Sequence, residues 1–131
     1  MAIASQAIQA LRAERLEVTR TAVGAIPLYS PVRLVTADTV SVANVDTRIN
    51  ATVYGIAIES KLTGEDVKIL LMGNLEDPSF TFGLNDGLFQ SAAGPISDQS
   101  TTIVGEFFCR IGKSNGTGSI FVNPELPIEV M

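Results

Sequence analysis

Residues 52–73, TVYGIAIESKLTGEDVKILLMG, decide the fold class. Two runs rich in β-branched and aliphatic residues, 52–59 and 66–73, flank a polar segment whose Thr63-Gly64-Glu65 supplies turn chemistry. That is the grammar of paired strands, and it continues in both directions. Upstream, 17–23, 31–36 and 39–43 are short runs of Val, Thr and Leu. Downstream, 79–82, 87–91, 102–111 and 118–123 repeat the pattern. Gly, Pro, Asn and Asp stand between them, at Ala37-Asp38, Asn85-Asp86-Gly87, Ala93-Gly94-Pro95 and Gly112–Gly118. Closely spaced short strands of this kind predict an all-β fold.

The strands fall into two similar halves. Residues 32–73 read VRLV, TVSVA, a polar stretch, VYGIAIES, a turn and VKILLMG. Residues 87–123 read GLFQS, GPIS, a polar stretch, TIVGEFFCRIG, a turn and SIFVN. The alignment sets Val53-Tyr54-Gly55 against Ile103-Val104-Gly105 and Val67–Leu71 against Ser119–Val122. Each half reads as a four-stranded unit, and two such units facing each other predict one small β-sandwich or β-barrel around one core. Gly55 and Gly105 interrupt apolar runs, which predicts a shared bulge or close sheet contact.

Residues 3–17, IASQAIQALRAERLE, are the one stretch with helical habit, with Ile8, Leu11 and Leu16 near one face. Charge is segregated as well. Residues 1–33 carry four Arg and two Glu, whereas residues 34–131 carry five basic and 12 acidic groups. The expected organisation is an arm or short helix at 1–17, one β domain at 18–123, and an extended strap at 124–131 enforced by Pro124 and Pro127. The arm either caps its own barrel or docks on another chain; the positive charge confined to residues 1–33 favours the second. The candidate contacts with another chain are Ile3, Ile8, Leu11, Arg12, Arg15 and Leu16.

Composition narrows the chemistry. The 131 residues are 46% hydrophobic and 18% charged, enough for a packed domain. Nine Lys and Arg against 14 Asp and Glu give a formal charge of −5, the wrong sign for a phosphate-binding surface, so nucleic acid is not an expected partner. The chain has no histidine, which removes the commonest general base and metal ligand. Cys109, the lone cysteine, sits among Phe107, Phe108 and Ile111 and reads as a buried small hydrophobe. Neither a signal peptide nor a membrane-spanning run is expected. Gly112-Lys113-Ser114 ends like a phosphate loop, but Phe107 stands where that motif needs glycine, so it reads as hairpin loop. Glu59, Glu65, Asp66, Glu76 and Asp77 read as a solvated rim. No catalytic residue, metal or cofactor is expected.

The order of these segments resembles a known group of proteins. Pro31-Val32 with Leu34, Gly55-Ile56-Ala57, Gly64-Glu65 with Val67, and Phe89-Gln90-Ser91 agree with its pattern. So do Gly94 with Ile96-Ser97, Val104-Gly105, and Ile120-Phe121-Val122 with Pro124. Across about residues 24–130 the chain resembles capsid decoration (cement) proteins of tailed bacteriophages and the related head-fibre and tail-fibre modules. It departs from them at Glu106-Phe107-Phe108, and residues 1–20 have no counterpart. The resemblance implies a non-enzymatic virion protein on the capsid surface, assembled in the host cytoplasm. It also implies the major capsid protein and further copies of itself, as homodimer or homotrimer, as partners. The alternative is a fibre or adhesin module binding a host-surface receptor, against which the scarcity of aromatics (Tyr29, Tyr54, no Trp) counts. A hydrolase built on paired carboxylates ranks last.

Overall fold

The computed structural model describes residues 15–92 and 94–131. The chain is all-β. Its strands are β1 (Leu16–Ala22), β2 (Pro31–Leu34), β3 (Thr39–Val42), β4 (Gly55–Ala57), β5 (Asp66–Glu76) and β6 (Gly87–Phe89). They continue with β7 (Phe107–Phe108), β8 (Arg110–Ser114), β9 (Ser119–Val122) and β10 (Ile128–Glu129), and a four-residue helix, α1 (Arg48–Ala51), precedes β4.

The first five strands close a ring. β1 pairs in parallel with β3, β3 with β2, β2 with β4, β4 with β5, and β5 returns to β1; all pairings but the first are antiparallel. The result is a five-stranded barrel, and closure leaves it no sheet edge for stray pairing. β5 then outruns the barrel. Its 11 residues extend roughly 36 Å, and its second half, Gly73–Glu76, pairs with β9 in an antiparallel sheet continued by β8 and β6.

Two buried clusters result where one core was expected. Ile26, Val32, Val40, Ala57, Val67 and Ile69 fill the barrel. Ile56, Leu70, Leu75, Leu88, Ile111, Ile120 and Val122 form the second cluster. The alternation of a pleated strand explains the division: adjacent residues point to opposite faces, so Ile69 and Leu70, or Ala57 and Ile56, serve different cores. Both β5 side chains are completely buried, each worth about 2 kcal/mol of transfer free energy.

The internal repeat is present, in a different register. Val32 pairs with Gly55 and Arg33 with Ser41; Leu88 pairs with Gly112, and Phe89 bridges Ser97. The structural counterpart of Gly55 is therefore Gly112, not Gly105. Geometry agrees, because a Cβ on Gly55 would lie 2.5 Å from the carbonyl oxygen of Leu70 and one on Gly112 1.9 Å from that of Phe121. Each glycine lets its strand approach the next. Gly105 instead sits in a turn at φ +89 with open space around it. The first unit also has five strands rather than four, because β1 completes it; the second half of β5 does for β9 what β1 does for the first half of β5.

Several expected strands change. Residues 79–82 form no strand: Phe80 is buried and its amide bonds the carbonyl of Asp77 in a turn. The run 102–111 breaks into an exposed turn at Ile103 and Val104 followed by β7 and β8. Gly112-Lys113-Ser114 lies in β8 rather than in a loop, leaving the turn to Asn115–Gly118. Helix α1 ends just before the expected strand at 52, and residues 52–54 are neither helix nor strand, so that strand begins only at Gly55 as β4; Thr47 is the N-cap of α1, accepting from the Asn50 amide at 3.1 Å. Leu16 and Glu17, counted in the helical stretch, are strand residues of β1. The rest of that stretch, residues 3–14, lies outside the described residues.

Candidate functional site

Where β1 begins, side chains from six parts of the chain surround an apolar groove of about 570 Å³. Leu16 opens β1 opposite Met72 of β5; Leu34 ends β2, Ile49 lies on α1, Tyr54 precedes β4, and Pro124 follows β9. Ile49 is 74% exposed, Leu16 58% and Met72 45%, so the groove keeps much of its apolar surface in water. Local sequence explains why. Val67, Ile69 and Leu71 point into the barrel, so Met72 is on the outward face of β5. The α1 turn, fixed by its cap and by Asn50 bonding Asp46 at 2.9 Å, places Ile49 outward.

A second apolar surface is built by the chain's last residues. β10 pairs with β7, the Gly105 amide donates to the carbonyl of Val130 at 3.0 Å, and the Val130 amide to that of Glu106 at 2.8 Å. These bonds hold the exposed turn of Ile103 (62%) and Val104 (74%) against the end of the strap, whose Ile128 and Met131 are also exposed. Arg48 fastens this strap: its guanidinium lies 5.0 Å from the Phe107 ring centroid and donates to the Pro127 carbonyl at 3.4 Å. Residues 124–131 thus run along their own domain.

Of the candidate contact residues, Arg15 and Leu16 are described, while Ile3, Ile8, Leu11 and Arg12 lie outside the described residues. Arg15 pairs with Glu17 at 2.8 Å, and its backbone passes beside Gly73, where an added Cβ would come within 3.1 Å of the Arg15 Cα. Leu16 is part of the groove wall. Sequence reasoning missed Leu34, Ile49, Met72 and Pro124 as its neighbours. Strict alternation along 66–73 would have put Met72 outside; nothing local in the sequence brings Ile49 or Pro124 to it.

Several polar groups of the domain are occupied structurally. Buried Gln90 donates to the Ala51 carbonyl at 3.1 Å and accepts from the Cys109 amide at 2.7 Å, tying α1 to the β7–β8 junction. The Cys109 thiol is fully buried and reaches the Glu125 carbonyl at 2.9 Å; burial pushes its pKa up, away from thiolate reactivity. The Tyr29 hydroxyl donates to Asp77 at 2.6 Å. This bond and the Ser79 amide hold the Asp77 carboxyl below the usual carboxylate range, while the same bond raises the Tyr29 pKa. Glu65 accepts from the Leu62 amide, and Glu59 from that of Lys68. Among the described residues no three His, Cys, Asp or Glu side chains form a metal cluster, and no helix is long and apolar enough to cross a membrane.

Fold and surface together define an all-β domain with apolar side chains exposed on its surface. No protein-family model, curated protein or solved structure matches the chain.

Proposed function

We propose that this protein is a virion structural protein of a tailed bacteriophage, decorating and stabilising the assembled capsid by binding the major capsid protein lattice. The observation that carries the reading is the pair of separate apolar surfaces on one small domain, the groove at Leu16 and Met72 and the face at Ile103, Val104, Ile128 and Met131. Contiguous exposed apolar surface marks a place of contact. A decorating protein needs two such places, one for its own copies and one for the shell. The resemblance across residues 24–130 supports the same role. Binding only the assembled lattice stabilises that lattice by mass action, and symmetric copies add avidity without a deep pocket.

Sedimentation of the purified full-length protein with capsids of the phage that encodes it tests the reading. Saturable co-sedimentation is expected, lost in an Ile103→Asp, Val104→Asp variant that keeps the wild-type unfolding midpoint, since both side chains are exposed. Failure of the wild-type protein to bind would overturn it.

A further inference from the structure

The turn that joins β8 to β9, Asn115–Gly118, holds the one asparagine of the chain that is followed by glycine; the other five precede Val, Ala, Leu, Asp and Pro. An Asn-Gly pair is chemically labile, because glycine has no Cβ to keep its backbone nitrogen away from the preceding side-chain carbonyl. When the Gly116 nitrogen attacks the Asn115 Cγ, the new N–Cγ bond forms and the Cγ–Nδ2 bond breaks. The side-chain nitrogen leaves as ammonia, carrying off the proton lost by Gly116. Water then opens the succinimide at one carbonyl or the other, giving aspartate or isoaspartate, and in isoaspartate the backbone is longer by one carbon.

The fold engages both reacting groups. The Gly116 N–H donates to the Oγ of fully buried Ser114 at 3.0 Å. The Asn115 Nδ2 donates to Asn74 Oδ1 of β5 at 3.1 Å and to Ser119 Oγ of β9 at 3.2 Å, which ties the carboxamide to two neighbouring strands. The Asn115 amide also donates to the Ser119 carbonyl at 2.9 Å and closes the turn. Asn115 itself is exposed, so water has access to it and its protection rests on hydrogen bonds instead of burial. The same turn holds a piece of the second core. Gly118 donates to the Phe80 carbonyl at 2.7 Å and accepts from the Asp77 amide at 3.0 Å, while Ser114 stands opposite Ile120 in the ladder. An extra backbone carbon between Asn115 and Gly116 would pull on all three connections.

We propose that Asn115 is a latent deamidation site, kept intact in the folded protein by Asn74, Ser114 and Ser119, and that its conversion loosens the β8–β9 hairpin. This goes beyond the capsid reading and is independent of it. The reaction waits on local opening of the turn, an event that costs less free energy than unfolding the domain.

Incubation of the full-length protein at neutral pH, followed by peptide mapping that separates aspartate from isoaspartate at position 115, tests it. Conversion in the folded wild type is expected to be at least roughly tenfold slower than in the same chain unfolded in urea. Asn74→Ala with Ser119→Ala removes both bonds to the carboxamide. At roughly fivefold for each, it should react roughly 5- to 25-fold faster than wild type while remaining folded, since Asn74 is exposed and Ser119 only half-buried. The isoaspartate-containing fraction, separated from the aged protein, should unfold at a lower urea concentration than fresh protein. Equal rates in the folded and unfolded wild type would overturn the proposal, as would an unfolded chain that does not react at Asn115. A folded double variant converting at the wild-type rate, or an isoaspartate form with the midpoint of fresh protein, would overturn it too. None of these outcomes involves capsids, so failure of the capsid reading would show separately.

Discussion

Replacing Gly112 with alanine should be among the most damaging single-methyl changes available in this protein. The added carbon would sit 1.9 Å from the carbonyl oxygen of Phe121 and 2.9 Å from its carbonyl carbon, both backbone atoms of the paired strand β9. No side-chain rotation relieves such a contact; β8 and β9 must separate. Separation weakens the ladder at Gly112–Val122 and Lys113–Phe121, at about 1 kcal/mol for each hydrogen bond lost. It also displaces Ile111, Ile120 and Val122 from the second core, an overpacking cost of about 1–3 kcal/mol. The sum is about 3–5 kcal/mol, a large share of the 5–15 kcal/mol typical of a whole domain. In urea, with a slope of about 2 kcal/mol per molar, the unfolding midpoint should fall by roughly 2 M. Gly55→Ala should behave similarly, since its carbon would meet the Leu70 carbonyl at 2.5 Å and the Ile69 side chain at 2.6 Å. Gly105→Ala meets nothing and should lose only about 1 kcal/mol, from its positive φ. A Gly112→Ala midpoint close to wild type, or a Gly105→Ala loss as large as that at Gly112, would refute the pairing of Gly55 with Gly112.

Gln90→Leu should lower stability by about 2–5 kcal/mol in the same assay, because it strands the Ala51 carbonyl and the Cys109 amide without partners. Tyr29→Phe should return the Asp77 pKa toward its ordinary value, read from its carboxyl carbon by NMR. Because the Asp77 pKa is lowered on folding, its contribution is present above the ordinary carboxylate range and lost as pH falls through the folded value. The raised Tyr29 pKa makes its contribution present below about 10 and lost as pH rises through its folded value. The wild-type advantage over Tyr29→Phe should therefore be a plateau between those limits and shrink outside them; a pH-independent difference would count against the bond. Cys109 should react with a thiol reagent only at the rate of opening or unfolding, and fast labelling of the native protein would contradict its burial.

The fold class was legible because strand vocabulary and turn residues do not depend on distant contacts: β2, β3, β5 and β9 lie where their runs of Val, Ile and Leu predict. The repeat was legible as an order of elements but not in register. Gly105 follows Ile103-Val104 as Gly55 follows Val53-Tyr54, and sequence alone has no measure of the backbone approach that singles out Gly112. The second core was hidden for a related reason. A run such as Ile69–Leu71 is buried on both faces, so its hydrophobicity marks burial without saying that alternate residues belong to different clusters. Of the contact site, Leu16 was legible from the apolar face of its segment. Ile49 and Pro124 were not, since only the closed barrel and the α1 cap bring them to the same groove.

Electron cryomicroscopy of virions of the phage proposed to encode this chain, with the protein located by difference from a deletion strain, tests the central proposal most directly. The account predicts density of this size repeated with the symmetry of the shell on the outer capsid surface. Density confined to the tail fibres, or virions identical with and without the gene, would contradict it.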